Sequence, residues 1–232
     1  MNFSRLLILV LLGKILSSEC KNVNSYSKRR IPYQVSVEVD SDFKCTGAII
    51  NVYWVAAVSS CLQNASANKV IVRAATRAPL WRGSAHRVQQ LVTSPPCSSG
   101  HLILLKVFNK FKFNGKTRPV TMLPRTPSSG DIGWESTWPC IQVPYNTISQ
   151  RPITILEPSF CKEITTDPEN VCVFGKHRLW TNPSFCQNTG ALVVVQDRLA
   201  GFVLRSYNST VDICLQIIPY IPWIVQIVFG GH

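Results

Sequence analysis

Short stretches of alternating apolar and polar residues, separated by turn residues, run along this chain. A period of two over four to eight residues is typical of strands that bury one face. Cys45 and Cys61 enclose two apolar runs that meet at Asn51, which predicts a hairpin closed by a disulfide in an exported protein. A polar loop is expected between Cys161 and Cys172. The predicted strands include Pro32–Val39, Thr46–Ile50, Trp54–Ala57, Lys69–Ala74, Arg87–Thr93 and Leu199–Leu204.

The first residues have the features of a secretory signal peptide. Arg5 precedes the apolar run Leu6–Leu12, and the small residues Ser17–Ser18 follow it. This pattern predicts a signal peptide over residues 1–18, too short for a membrane span. Residues 19–31 carry no apolar periodicity and are expected to form an extended N-terminal arm.

The rest of the sequence also favours a secreted, extracellular protein. The apolar stretch Ile213–Gly230 is interrupted by Pro219 and Pro222, so no membrane span is predicted. Nine cysteines in an exported chain imply a disulfide framework with one cysteine left over. Asn64 and Asn208 begin N-x-Ser/Thr sequons and are candidate glycosylation sites.

The chain is basic, with 24 lysines and arginines against 12 acidic residues. Such an excess attracts polyanions such as heparan-like glycans, or it only keeps a secreted protein soluble. Most bases are scattered, which favours the second interpretation, and no nucleic acid partner is predicted. One loop concentrates the candidates for polyanion binding, which are Lys106, Lys110, Lys112, Lys116 and Arg118.

The segment Cys45–Cys61 resembles the trypsin/chymotrypsin family of serine proteases (peptidase S1), which reads C-G-G-S-L-I and then W-V-L-T-A-A-H-C. His101–Val107 is similar to the family's D-I-A-L-L-K-L, Ser184–Val193 to its C-x-G-D-S-G-G-P-L-V, and Tyr220–Ile224 to its Y-x-x-W-I. The resemblance covers about 32–228. It implies an all-β fold of two packed six-stranded antiparallel β-barrels with a short C-terminal helix, at about 32–118, 119–217 and 219–228.

The residues at the catalytic positions of this family are replaced. Ser60 stands where the family has its catalytic His, His101 where it has the Asp, and Thr189 at best where it has the nucleophilic Ser. Asn188 replaces the Asp that, in active members, ion-pairs with an N-terminus freed by cleavage, and the I-V-G-G motif that supplies this terminus is missing. Without an adjacent base, threonine is a weak nucleophile.

The specificity pocket implied by the resemblance is altered as well. Ser184 matches the charged Asp at the base of the trypsin pocket, and Phe185 stands where the family uses a small residue. Ser206 and Asp212 stand where glycines usually line the walls. We therefore predict a pseudoenzyme, most similar to the catalytically dead serine protease homologues that animals secrete, particularly short insect forms without an accessory domain.

Such homologues bind active proteases or inhibitors as decoys, cofactors or scaffolds, and this is the function that the resemblance implies. Two alternatives are a module that binds polyanionic glycans and a weak serine-type hydrolase with a rebuilt site. In the second, Ser60 and His101 would form a relocated dyad, whereas a buried structural pair is the simpler interpretation. His86, His177 and His232 lack cysteine or histidine neighbours at ligand spacing, so neither a metal site nor a cofactor is predicted.

The resemblance also implies further disulfides. Cys161–Cys172 matches a family bridge. Cys186 normally pairs with a cysteine in the loop before the last strand, and Cys214, somewhat later in the chain, is its expected partner here. Cys20–Cys140 would tether the N-terminal arm in place of the lost ion pair. Cys97 then remains, either free or bridging to another chain. Arg30 ends a basic run that is either a cleavage site or only an exposed loop.

Overall fold

The computed structural model describes residues 30–95, 102–138, 148–167, 170–175 and 188–230. These residues form two closed six-stranded antiparallel barrels, followed by a short helix at the C-terminal end. The fold predicted from the sequence is therefore confirmed. The predicted signal peptide and most of the N-terminal arm lie outside the described residues.

Barrel one closes because β4 pairs with β1, which gives the strand order β1-β2-β3-β6-β5-β4. Alternate valines of β1 point into its core, where they pack against apolar residues of the other strands. The opposite face of β1 is polar but also buried, because the loop at 75–83 covers it. The strands are β1 (Gln34–Val39), β2 (Asp42–Ile49), β3 (Trp54–Val58), β4 (Val70–Ala74), β5 (Ser84–Thr93) and β6 (Leu102–Val107).

Barrel two has the equivalent order β10-β11-β12-β9-β8-β7 and closes where β7 pairs with β10. Ile153, Ile155 and Val173 belong to its apolar core, together with Cys214. Its strands are β7 (Ile132–Thr137), β8 (Ser149–Ile155), β9 (Asn170–Gly175), β10 (Leu192–Val195), β11 (Arg198–Ser206) and β12 (Val211–Gln216).

Two α-helices and three 3₁₀ turns accompany the strands among the described residues. Helix α1 (Pro158–Ile164) extends into the segment where a polar loop was expected, so that expectation is wrong for residues 162–164. Proline favours the first turn of a helix, and the buried Cys161 fixes α1 to β9 through its disulfide with Cys172. Helix α2 (Ile221–Phe229) ends the described chain, and the 3₁₀ turns are η1 (Ser59–Leu62), η2 (Ala67–Lys69) and η3 (Ile218–Tyr220).

An apolar layer joins the two barrels. Trp54 and Leu104 of barrel one pack in the same cluster as Phe202 and Leu215 of barrel two, and Tyr220 of η3 completes it. A hydroxyl pair, Thr46 Oγ1 and Thr137 Oγ1 at 3.2 Å, also crosses from one barrel to the other. The two barrels therefore share one buried interface.

Two of the predicted disulfides are present. Cys45 is bonded to Cys61 within barrel one, and Cys161 is bonded to Cys172 in barrel two. Cys214 is buried on β12, while Cys20, Cys97, Cys140 and Cys186 lie outside the described residues. Within the described part of the chain, no helix is long and apolar enough to cross a membrane.

Candidate functional site

The Thr189–Gly190 turn of barrel two lies against the Cys45–Cys61 disulfide of barrel one. Gly190 has a φ of +84°, and a Cβ on it would lie 2.8 Å from Cys45 Cβ. Only glycine fits this contact without strain, because it tolerates positive φ and has no side chain. Since Ser60 directly precedes Cys61, the fold brings two of the three degenerate catalytic positions to the same disulfide.

Ser60 lies on η1 and is exposed to solvent. None of the described residues forms a hydrogen bond with its hydroxyl. The exposure of Ser60 does not favour the buried Ser60–His101 pair that the sequence suggested as the simpler alternative, but the pair stays a prediction. His101 itself lies outside the described residues.

Thr189 is half-buried, and its hydroxyl donates a hydrogen bond to the backbone carbonyl of Leu204, with an Oγ1–O distance of 3.0 Å. A hydroxyl has one proton to donate, and a carbonyl oxygen cannot take it away as a general base does. This hydrogen bond holds the Thr189 hydroxyl in place, and its carbonyl acceptor does not activate it as a nucleophile.

Asn188, which the sequence predicts to replace the family's activation aspartate, is buried and contacts a glutamate. Its Nδ2 donates to Glu135 Oε1 at 3.4 Å. The second oxygen of Glu135 accepts from Arg151 Nε at 3.0 Å and from Arg151 Nη2 at 2.7 Å. Arg151 also forms an ion pair with Asp212, so one guanidinium bridges two carboxylates.

The barrel topology explains how these charges meet. Glu135 and Arg151 are directly opposite each other on β7 and β8, while Asp212 lies on β12 beyond the intervening β9. The Arg151 side chain crosses β9 at Gly175, where a Cβ would lie 2.8 Å from its Cζ. Glycine on β9 therefore makes room for the arginine to reach Asp212.

The cluster of Glu135, Arg151 and Asp212 is buried in barrel two. Relative exposures are 2%, 8% and 0% in that order. Two carboxylates around one guanidinium leave a formal charge of −1 inside the barrel. Buried charges are tolerated when they are paired and hydrogen-bonded, and breaking such a pair is costly.

Asp212 and Ser206, the two predicted pocket-wall residues described here, are directly paired across β12 and β11. Asp212 shares the inward face of β12 with Cys214, and the guanidinium of Arg151 lies against its carboxylate. Ser184 and Phe185 lie outside the described residues. In the described part of the predicted pocket, Arg151 occupies the space beside Asp212.

The sequence interpretation did not find Glu135 or Arg151. A signal was nevertheless present, because Arg151 falls on the same alternating face as Ile153 and Ile155, which are core residues. A charged residue at an inward position of a strand needs a partner of opposite charge. An inward arginine on one predicted strand and an inward glutamate on its neighbour would have predicted a buried ion pair.

The predicted glycosylation sites both lie on exposed turns. Asn64 follows η1 with a φ of +62°. Asn208 accepts hydrogen bonds at Oδ1 from the backbone N–H groups of Thr210 and Val211, each at 2.8 Å. Glycosylation remains a prediction at both positions.

A basic groove of about 1060 Å³ lies on barrel one. Three of the five predicted polyanion-binding residues, Lys110, Lys112 and Lys116, line it. Lys106 instead lies over the Trp54 ring, 5.7 Å from its centroid, and Arg118 does not line the groove either. The lining also contains residues that the sequence interpretation missed, namely Arg77, Trp81 and Arg82. No group of three or more metal-ligating side chains occurs among the described residues.

Comparison with known proteins assigns the family. The trypsin family model matches residues 21–224. Among solved structures, the scabies mite inactivated protease paralogue S-I1 superposes with a TM-score of 0.73 at 17% identity, covering 87% of this chain and 96% of that one. The paralogue S-D1 gives 0.72 at 15% identity, covering 86% and 93%. Kallikrein-related peptidase 10 gives 0.71 at 20% identity, covering 86% and 97%. At these identities the superpositions establish the fold, and the match over nearly the whole sequence shows that this chain belongs to the trypsin family.

Proposed function

We propose that this protein is a secreted, non-catalytic serine protease homologue that binds other proteins, such as active proteases or their inhibitors. The observation that carries the proposal is the buried Arg151, whose guanidinium bridges Glu135 and Asp212. Asp212 matches a pocket-wall glycine of the family, so a substrate side chain would compete with an internal ion pair for this space. Displacing the Arg151 guanidinium would leave the carboxylates of Glu135 and Asp212 buried without their partner, which is strongly unfavourable.

The replaced catalytic positions support the same proposal. Ser60 supplies no base at the histidine position, and the Thr189 hydroxyl donates to the Leu204 carbonyl. In the serine protease subtilisin, loss of the nucleophile or the base alone lowers kcat by a factor of about 10⁶. Two such losses in one site leave binding as the function that this surface can still perform.

An exposed apolar row on barrel two is a candidate surface for a protein partner. Ile132 and Phe174 lie on either side of Thr154 in adjacent strands, so their side chains share the outer face. Their exposures are 72% and 47%, and Tyr207 beyond β11 is 51% exposed. Contiguous apolar side chains on a surface commonly mark protein interaction sites.

The conformation of the chain supports export. Two disulfides form between positions that are adjacent in the fold, and disulfides persist in oxidising compartments. The predicted signal peptide at residues 1–18 agrees with this route. The proposed place of action is therefore extracellular.

A fluorophosphonate probe for serine hydrolases tests the loss of catalysis, with trypsin as a positive control. We expect no labelling of the secreted protein under conditions that label trypsin completely. A covalent adduct that maps to Thr189 or Ser60, with turnover that disappears in Thr189→Ala or Ser60→Ala, would refute the proposal in favour of a rebuilt hydrolase.

Binding is tested with a panel of purified serine proteases and protein inhibitors. We expect at least one of them to bind, and the double variant Ile132→Ser/Phe174→Ser to bind it more weakly. The matched control Val225→Ser/Phe229→Ser removes exposed apolar side chains from α2 instead. Equal loss of binding in both variants would contradict the role of the apolar row, and no binding across the panel would contradict the choice of partner class.

A further inference from the structure

The basic groove of barrel one is a second site, separate from the degenerate catalytic positions. It lies between the loop at 75–83 and the segment at 109–117, and no acidic residue lines it. We propose that this groove binds a sulfated glycan of the heparan type. The cations that would contact its sulfates are Arg77, Arg82, Lys110, Lys112 and Lys116.

All five cations are exposed, and none forms an ion pair with an acidic residue in the described part of the chain. Neighbouring bases behave differently, since Arg73 pairs with Glu38 and Lys69 with Asp40. Charges of one sign along a groove repel one another and raise the local positive potential. A ligand that carries several negative charges would reduce this repulsion.

The loop at 75–83 holds its two arginines in defined positions. The backbone carbonyl of Arg77 accepts a hydrogen bond from Trp138 Nε1 at 3.1 Å, and that of Arg82 accepts one from Arg73 Nη1 at 3.3 Å. The Arg82 guanidinium lies over the Trp81 ring, 4.5 Å from its centroid, and the side chain of Arg77 is exposed. An arginine fork matches paired oxygens of an anionic group, so these residues suit sulfates.

The facing segment is anchored by a core residue. Phe111 is buried in barrel one, and its backbone N–H donates to the Val52 carbonyl at 2.8 Å. The ring of His86 packs on Phe111 with centroids 4.4 Å apart. Lys110 and Lys112 flank this fixed residue and are exposed. Both walls of the groove are thus held before a ligand arrives, which lowers the entropic cost of binding.

The remaining lining favours a sugar over an acidic peptide. It consists of small and polar side chains, among them Ser84, Asn109 and Thr117, which can exchange hydrogen bonds with hydroxyls. Trp81 is 53% exposed, and a sugar could stack on the part of its ring that the Arg82 guanidinium does not cover. A peptide would be anchored by apolar pockets, and Trp81 is the one large apolar side chain of this lining.

Titration calorimetry with a defined heparin oligosaccharide at about 0.15 M salt tests this proposal. We expect Lys110→Ala/Lys112→Ala to weaken binding by about tenfold, as expected when two exposed charge contacts are lost. The matched control Lys162→Ala/Arg198→Ala removes the same charge from exposed positions on barrel two and should change the affinity by less than about twofold. Trp81→Ala should weaken binding without changing the net charge.

Four results would overturn the proposal. Equal weakening in the groove variant and the charge-matched control would mean that only net charge attracts the oligosaccharide. Equal affinity for desulfated heparin, or tighter binding of polyglutamate, would show that sulfated sugar is not the ligand. Absence of binding at this salt concentration would show that the groove does not bind this glycan class. Each outcome is independent of the probe labelling and protease binding that test the proposed function.

Discussion

Replacing Arg151 by methionine tests whether the buried charge cluster stabilises barrel two. Methionine has a similar length and no charge, so the change leaves Glu135 and Asp212 as neighbouring carboxylates that are 2% and 0% exposed. Removing one partner of a buried ion pair typically costs 3–5 kcal/mol of unfolding free energy. We expect the same range here, because Arg151 provides two hydrogen bonds to Glu135 and an ion pair to Asp212.

The assay is urea unfolding at neutral pH with the disulfides intact, followed by tryptophan fluorescence. Urea is preferable to guanidinium chloride because it carries no charge and does not screen the cluster. In a domain of this size, about 1 kcal/mol shifts the melting temperature by about 2–4 °C. The expected loss therefore corresponds to roughly 6–20 °C in a parallel thermal scan.

Two control variants separate charge from packing. The triple variant Arg151→Met/Glu135→Gln/Asp212→Asn removes all three charges while keeping the volumes nearly constant, so it should recover most of the loss. Arg198→Met removes an exposed arginine at the β10–β11 turn and should change stability by no more than about 0.5 kcal/mol. The reasoning is refuted if Arg151→Met costs less than about 1 kcal/mol, or if the triple variant is as unstable as the single one.

Three further predictions concern local features. Gly190→Ala should destabilise the protein by more than about 1 kcal/mol in the same urea assay, because it combines a φ of +84° with a contact of 2.8 Å to Cys45 Cβ; a neutral result would contradict the close approach of the two barrels. Cys45→Ala/Cys61→Ala should cost about 3 kcal/mol, as expected for a closed loop of about 15 residues, and a loss below about 1 kcal/mol would contradict that account. The Arg125 guanidinium and then the Ser128 N–H lower the pKa of the Asp131 carboxyl below its usual range. The wild type should therefore be more stable than Asp131→Asn at neutral pH, and the difference should disappear as the pH falls through the lowered pKa. A difference in stability that persists at pH 2 would contradict this prediction.

The strands of this fold could be predicted where short apolar or alternating runs are bounded by turn residues. Trp54–Ala57 was predicted from the sequence, and β3 covers Trp54–Val58. β5 begins at Ser84, three residues before the predicted strand, because its first residues are exposed and carry no apolar signal. Helix α1 was missed because seven residues are too few to show a helical period, and its position depends on the disulfide with β9.

The residues of the candidate sites could be predicted from the sequence only where a local motif surrounds them. Local motifs located Ser60 and Thr189, because each lies next to recognisable flanking residues. Arg151 and the groove arginines Arg77 and Arg82 have no such motifs. Their partners and neighbours come from strands and loops distant in sequence, so only the closed barrels bring them together.

The substitution at Asn188 and the cluster around Arg151 explain each other electrostatically. In active members of the family, an α-amino group freed by cleavage neutralises an aspartate at this position. Here the side chain is a neutral amide that contacts Glu135, and the charge on Glu135 is balanced by an arginine from the next strand. A positively charged partner for Glu135 thus comes from β8 of the same barrel, although the cluster with Asp212 keeps a formal charge of −1. Glu135 therefore has its cation without a new N-terminus, which agrees with the predicted loss of the I-V-G-G motif and with the proposed role in binding.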